Sequence, residues 1–310
     1  MKKISIIGAG YVGSTIAYSL SLRSISDDIV LIDIDRNKAQ GEVDDIRHGL
    51  VGMGDSFVRT GSYSDCDGSD LIIITAGRNR KPNESRLDMI HDNIGIMKNV
   101  CENLLHNYNG GIVIIVSNPV DILTYYGQKW LSLPDGKVFG TGCILDTSRF
   151  VRAIADHAKC PISNVYGIVI GEHGDSQLPV WSNLTVSGMT IEKHCLLNGL
   201  NWNNELKDQI QNKVKKLGAQ IIAAKGRTHY GIATCVCMLA NSVLNNEPVT
   251  ASVTSVLNGE YGLYDVSLSL PCIIGSDGIS ERKTLSLSDH EISDLKNSAE
   301  KLKLTIADSF

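Results

Sequence analysis

The sequence predicts an α/β protein in which a doubly wound parallel sheet is followed by an α+β domain. Three observations carry this. Short, nearly continuous β-branched runs recur at Ile4–Ile7, Ile29–Ile32, Leu71–Ile74 and Ile112–Val116. Such runs fit strands buried on both faces, as in a parallel sheet. Helical spacing fills some of the intervals, at Val12–Leu22 and at Asp88–Leu105, where Met89, Ile90, Ile94, Met97 and Cys101 fall near one face. A glycine-rich turn, Gly8-Ala-Gly10-Tyr-Val-Gly13, joins the first strand to the first helix. Right-handed crossovers wind such units into one sheet.

The second half reads differently. A helix from Asp146 to His157 follows Gly140-Thr-Gly142. Val165–Ile170 is expected as a strand, followed by a turn at Gly171-Glu-His173-Gly-Asp-Ser176. Long helices are expected at Asn204–Ala224 and Ile232–Leu244, and strands within Val266–Ile274. Ser288-Asp-His-Glu291 is a capping box opening a last helix, with Ile292, Leu295, Leu302 and Ile306 on one face. No repeat or low-complexity linker separates the halves, so the expected division is 1–142 and 143–310.

Composition limits the function. A chain of 310 residues is long enough for two packed domains, and 43% hydrophobic with 20% charged residues suits a soluble globular protein. A net charge of -5 argues against nucleic-acid binding, which calls for a basic patch. No apolar run reaches the roughly 18 residues of a membrane span. The opening Met-Lys-Lys-Ile-Ser-Ile-Ile-Gly has too short an apolar run for a signal peptide and reads as a strand. The eight Cys form no C-x-x-C pair, so no zinc or redox motif is indicated. Buried free thiols in a reducing cytoplasm are expected.

The glycine turn has a specific use. Gly8 and Gly10 permit a tight turn and close approach of a pyrophosphate to backbone amides, and Gly13 lets helix and strand pack closely. The helix N-terminus then faces the phosphates, with Val12 in its first turn. Asp33, 20 residues after Gly13, ends the second strand. Its carboxylate suits ribose hydroxyls and repels a 2′-phosphate, which selects NAD over NADP in a Rossmann-type site.

Three later segments narrow the chemistry: Ile144-Leu-Asp146-Thr-Ser-Arg149, Ile170-Gly-Glu-His173-Gly-Asp-Ser, and Ala76-Gly-Arg-Asn-Arg80-Lys-Pro-Asn-Glu-Ser-Arg86-Leu-Asp88. With these, the whole chain resembles the lactate/malate dehydrogenase family, more closely its lactate branch. The resemblance implies hydride transfer between NAD and C2 of a small 2-hydroxy acid. His suits the accompanying proton transfer near neutral pH. The resemblance makes His173 that group and Asp146 the acid orienting it. Asp146 and Arg149 are three apart on a helix, so they share a face. Arg149 would grip the substrate carboxylate with two parallel hydrogen bonds.

The segment Arg78–Leu87 matches the family's mobile lid, from which Arg86 would polarise the reacting oxygen. Asn118, before Pro119, would hydrogen-bond the same oxygen and lie beside the cofactor, with a cis peptide expected at Asn118–Pro119. The resemblance also places Thr75, Ala76 and Gly77 against the cofactor. Asn83 stands where the family usually has Gly, and Asn tolerates the same backbone shape.

Substrate choice in the family rests largely on the position of Arg80. Malate-type enzymes have Arg there, lactate-type enzymes commonly Gln. Closing Arg80 over pyruvate would bury an unpaired cation. Glu84, Leu87, Glu172 and Thr228 are lactate-like, with Thr228 against the substrate side chain. Lactate is favoured, with malate and a branched-chain 2-hydroxy acid as alternatives. Val151 and Tyr166 stand where the sugar-bisphosphate-activated enzymes carry an Arg and a His, so no activation by fructose 1,6-bisphosphate is expected. The resemblance implies a homo-oligomer, tetramer or dimer, with helical faces at 232–244 and 292–306 free for association. A non-catalytic NAD-binding scaffold would not need His173, Asp146, Arg149 and Arg86 together. An NAD-dependent glycosidase would need metal ligands that no Cys/His cluster supplies.

Overall fold

A computed structural model of the chain describes residues 1–78 and 86–309, without the Arg86 side chain. The first half alternates β1 (Lys3–Ile7), α1 (Tyr11–Leu22), β2 (Asp28–Ile32), α2 (Arg36–Gly49), β3 (Phe57–Thr60), β4 (Leu71–Ile74), α3 (Arg86–Leu105), β5 (Ile112–Ile115), α4 (Val120–Leu131) and β6 (Val138–Gly140). Its six strands are parallel, in the order β3-β2-β1-β4-β5-β6. Every residue of β2, β4 and β5 is buried. Side chains alternate between two apolar layers, Ile4, Ile29, Leu71 and Ile112 on one face and Ile7, Val30, Ile72 and Val113 on the other. This is the predicted doubly wound sheet.

The second half runs α5 (Ile144–Ala158), β7 (Val165–Tyr166), β8 (Val169–Ile170), β9 (Leu178–Pro179), β10 (Thr185–Val186), β11 (Met189–Thr190), α6 (Ile191–Leu197), α7 (Asn204–Lys225), α8 (Tyr230–Asn245), β12 (Val249–Asn258), β13 (Tyr264–Gly275), β14 (Gly278–Arg282) and α9 (Asp289–Ala307). The β12-β13-β14 meander is antiparallel, and β12 meets β6 at Thr254 and Gly140. The two halves therefore share one sheet of nine strands among the described residues. The division expected near 142 falls between β6 and α5, where the sheet itself does not break.

Two expectations are corrected. Val165–Ile170 is not one strand: β7 pairs with β10, while β8 pairs with β9 in a separate ribbon. Between them, a Cβ on Gly167 would lie 2.9 Å from the Phe150 ring, so the chain can bend only by packing bare backbone on that ring. The apolar faces expected to be free at 232–244 and 292–306 are mostly spent inside the chain. Val236, Leu239, Ala240 and Val243 join the core of the first half, and Leu295, Ala299 and Leu302 pack with β13 residues Val266, Leu268 and Leu270. All eight cysteines are free, and all but the half-buried Cys160 are buried. Among the described residues, no helix is long and apolar enough to cross a membrane.

Candidate active site

The cofactor-type residues collect at the carboxyl ends of the parallel strands, where ligands of doubly wound sheets bind. Gly8 follows β1, Asp33 follows β2, Thr75, Ala76 and Gly77 follow β4, and Asn118 follows β5. The glycines are there for space. A Cβ on Gly13 would lie 1.9 Å from the Gly8 carbonyl oxygen, and one on Gly8, at φ +113°, would lie 2.6 Å from Thr75 Oγ1. Thr75 in turn donates its hydroxyl to Gly8 O at 2.9 Å, tying the turn to β4.

Around Gly10 the space is open: a Cβ there would meet nothing within 4 Å. Gly10 caps α1 without a side-chain bond, and the first turn carries no acidic residue. The amides at the start of α1 are thus left to an anionic ligand. Val12 is half-buried and packs on the core below. Asp33 Oδ2 accepts the Ala9 amide at 2.6 Å and Oδ1 accepts the Asp35 amide at 3.0 Å. These bonds orient the carboxylate and leave it capacity for ribose hydroxyls. A cleft of about 940 Å³ runs past Gly8, Gly10, Asp33, Thr75, Ala76 and Gly77, so these residues fit a dinucleotide.

The catalytic-type residues meet as the spacing suggested. His173 Nδ1 is 2.5 Å from Asp146 Oδ2, and Arg149 Nη1 donates to Asp146 Oδ1 at 2.9 Å. The Asp146 side chain is 1% exposed, against 26% for the imidazole, so the acid is sealed while the ring reaches the surface. Arg149 is thus bonded to Asp146 itself. Burial acts against the charge on each partner. For Asp146, His173 and Arg149 outweigh burial and hold the carboxyl below its usual range. For His173, burial pulls downward, but Asp146 outweighs it and Asp121 adds to the effect, so the imidazole is raised above its usual value.

Asn118 is exposed and joined to Pro119 by a cis peptide, as expected. Thr228 is half-buried in the link between α7 and α8. Arg80, Asn83 and Glu84 lie outside the described residues. Arg86 begins α3, and its side chain is likewise outside them.

Local sequence patterns missed three groups here. Asn93, buried in α3, accepts the Arg78 amide at 2.8 Å and donates to Asn118 O at 2.8 Å, linking the segment after β4 to the segment after β5. Asp121 in α4 accepts the His173 backbone amide at 2.7 Å. From the second half, Arg227 stacks 3.7 Å from the Tyr11 ring centroid, and His229 Nδ1 lies 3.0 Å from Thr15 Oγ1, both on α1. These pairs are up to 216 positions apart, and no local pattern marks them.

The lactate/malate dehydrogenase NAD binding domain matches residues 2–140, and that family's α/β C-terminal domain matches residues 143–310. The chain belongs to the lactate/malate dehydrogenase family. It is an NAD-dependent dehydrogenase of a 2-hydroxy acid. An L-lactate dehydrogenase of Thermoanaerobacter sp. strain X514 is 42% identical over 306 residues, covering 99% of this chain and 98% of that one. One from Acetivibrio thermocellus is 40% identical, over 98% and 96%. Among solved structures, the minor L-lactate dehydrogenase of Enterococcus mundtii superposes with a TM-score of 0.95 at 35% identity, covering 99% of this chain and 98% of that one.

Proposed function

We propose that this member of the family interconverts pyruvate and L-lactate, with His173 as the proton donor and acceptor. The single observation behind the roles is the sealed Asp146 carboxylate that joins His173 to Arg149. The relatives named L-lactate dehydrogenase, matched over nearly the full chain, support lactate over malate and over a branched-chain acid. Arg80 is the one residue that favours malate.

When bound, NADH supplies the hydride that reaches C2 of the 2-oxo acid. Arg149 holds the substrate carboxylate through its remaining N–H donors. The imidazolium of His173 gives the proton of Nε2 to the keto oxygen, and Asp146, accepting from Nδ1, orients the ring and stabilises its charged form. In the reverse direction the neutral imidazole takes the hydroxyl proton. Asn118 and Arg86 stabilise the charge developing on the oxygen. Arg80 and Thr228 would select the substrate side chain. Gly8, Gly10, Val12, Gly13, Asp33, Thr75, Ala76 and Gly77 hold the cofactor.

Replacing His173 by Asn should cut turnover about 10²–10⁴-fold while NADH still binds; unchanged turnover would remove His173 from the mechanism. For the substrate, kcat/KM with NADH should be highest for pyruvate among pyruvate, oxaloacetate and 2-oxoisocaproate. A preference for oxaloacetate would make the enzyme malate-type.

Val151, packed on an apolar cluster, and exposed Tyr166 offer no charge to a sugar bisphosphate. Adding fructose 1,6-bisphosphate should leave the pyruvate KM unchanged. A homo-oligomer is supported by exposed Tyr11, Tyr18, Leu22, Tyr230 and Met238; light scattering showing a monomer would exclude it. Eight unpaired cysteines suit the cytoplasm.

A further inference from the structure

The chemistry above does not use the buried carboxylate of Asp121, yet that group bonds the backbone of the catalytic histidine. Asp121 stands in the first turn of α4 and is 2% exposed. One of its oxygens accepts the His173 amide at 2.7 Å, and the other accepts the hydroxyl of Thr254 on β12. Its carbonyl accepts the hydroxyl of Ser267 on β13. Thr254 Oγ1 lies 2.8 Å from Ser269 Oγ, which accepts the Cys143 amide at 3.0 Å, at the start of α5. A buried polar chain therefore runs from the His173 turn, through α4, β12 and β13, to the helix that carries Asp146 and Arg149. Asp121 does not cap α4: Pro119 is the N-cap, and Asn118 Oδ1 accepts the Val120 amide at 3.3 Å. Asp121 and His173 also line one cavity of about 340 Å³.

We propose that Asp121 is a positioning residue, a second carboxylate that fixes the His173 turn through its backbone and favours the protonated imidazole through its charge. The proposal rests on His173 being the proton donor. Burial pushes Asp121 up to about 6, with the Thr254 and His173 bonds acting downward. The His173 amide and the Thr254 hydroxyl both donate to Asp121, which favours its ionised form, and that charge in turn raises the imidazole. Among the described residues, the other charged groups around the ring are Asp146 and Arg149 on α5 and Glu172 in its own turn. Asp175 and Lys301, the latter on α9, line the shared cavity.

The test is Asp121→Asn. Asn keeps an acceptor for the His173 amide and can donate to Thr254, so shape is preserved and only charge is lost. Pyruvate reduction needs the imidazolium, so its alkaline midpoint should fall by about half a unit to one unit. The rate at alkaline pH should drop about three- to tenfold and stay unchanged at acid pH. Lactate oxidation needs the neutral ring, so its rate near pH 6.5 should rise, whereas a defect that acts equally on both directions would lower both. Should Asp121→Asn fail to fold, Thr254→Val serves, because the carboxylate loses one donor and the midpoint should move the same way by less. Unchanged midpoints, with rates either uniformly lowered or unaffected, would overturn the proposal. His173→Asn is the control: if it stays active, the assignment of His173 fails instead.

Discussion

Asp146 serves two partners with its two oxygens, Oδ2 toward His173 and Oδ1 toward Arg149. Removing its charge leaves both cations without their counter-charge in a buried place, a costly arrangement. We expect Asp146→Asn to lower pyruvate turnover about 10²-fold or more. Because Asp146 raises His173 more than Asp121 does, the alkaline midpoint for pyruvate reduction should also fall further than in Asp121→Asn. A pH profile of kcat/KM checks both, and an unchanged midpoint would contradict the electrostatic account.

Among the helices, two carry checkable consequences. Gly218 lies inside α7, where a Cβ would sit 3.4 Å from Arg149 Nη2, an ordinary contact. Helical Gly costs about 1 kcal/mol relative to Ala. Gly218→Ala should therefore stabilise the protein by about 0.5–1 kcal/mol in denaturant melts, with pyruvate kcat/KM changed less than about threefold if the methyl only touches the guanidinium. Helix α9 is held by the Ser288–Glu291 capping box, and Glu291 also accepts the Ser182 amide and hydroxyl. Burial pushes the Glu291 carboxyl up, but its donors at Ser182 and Ser288 outweigh that and hold it below its usual value. A depressed folded-state value stabilises the fold above the unfolded carboxylate's pKa, about 4.3, and that stability is lost as the pH falls through the lower folded value. Glu291→Gln should cost about 1 kcal/mol at neutral pH and less at acid pH, as read by urea melts at both.

Across the molecule, the shared sheet decides cooperativity. Thr254 on β12 pairs with Gly140 on β6, and one apolar cluster mixes Ile4, Leu71 and Phe139 with Val236, Val253 and Cys272. Neither half can open without exposing the other's core. Calorimetry should show one unfolding transition, and two resolved peaks would mean that the halves melt separately. NADH at a hundredfold its Kd should raise stability by about 2.7 kcal/mol, an increase that Asp33→Ala should largely abolish at the same concentration.

The parallel half of the sheet, the glycine turn and the residues that meet at Asp146 were all legible along the chain. Those features are local: β-branched runs, glycines at fixed spacing, and Asp146 and Arg149 one helical turn apart. Several elements left weaker marks. Helix α2 buries only Ala39, Val43 and Ile46. Helix α4 opens on Val-Asp-Ile-Leu-Thr-Tyr-Tyr, whose β-branched and aromatic residues read as much like a strand. Strand β6 has three residues. Strand β12 buries Ser252, Thr254 and Ser255, which a hydrophobic pattern counts as polar. Three features emerged with the three-dimensional packing alone: β12 extends the first sheet, Asn93 ties Asn118 to Arg78, and Asp121 lies against His173. Each joins segments distant in sequence, where a hydrogen bond forms because folding has removed water from both partners, and no spacing along the chain records it.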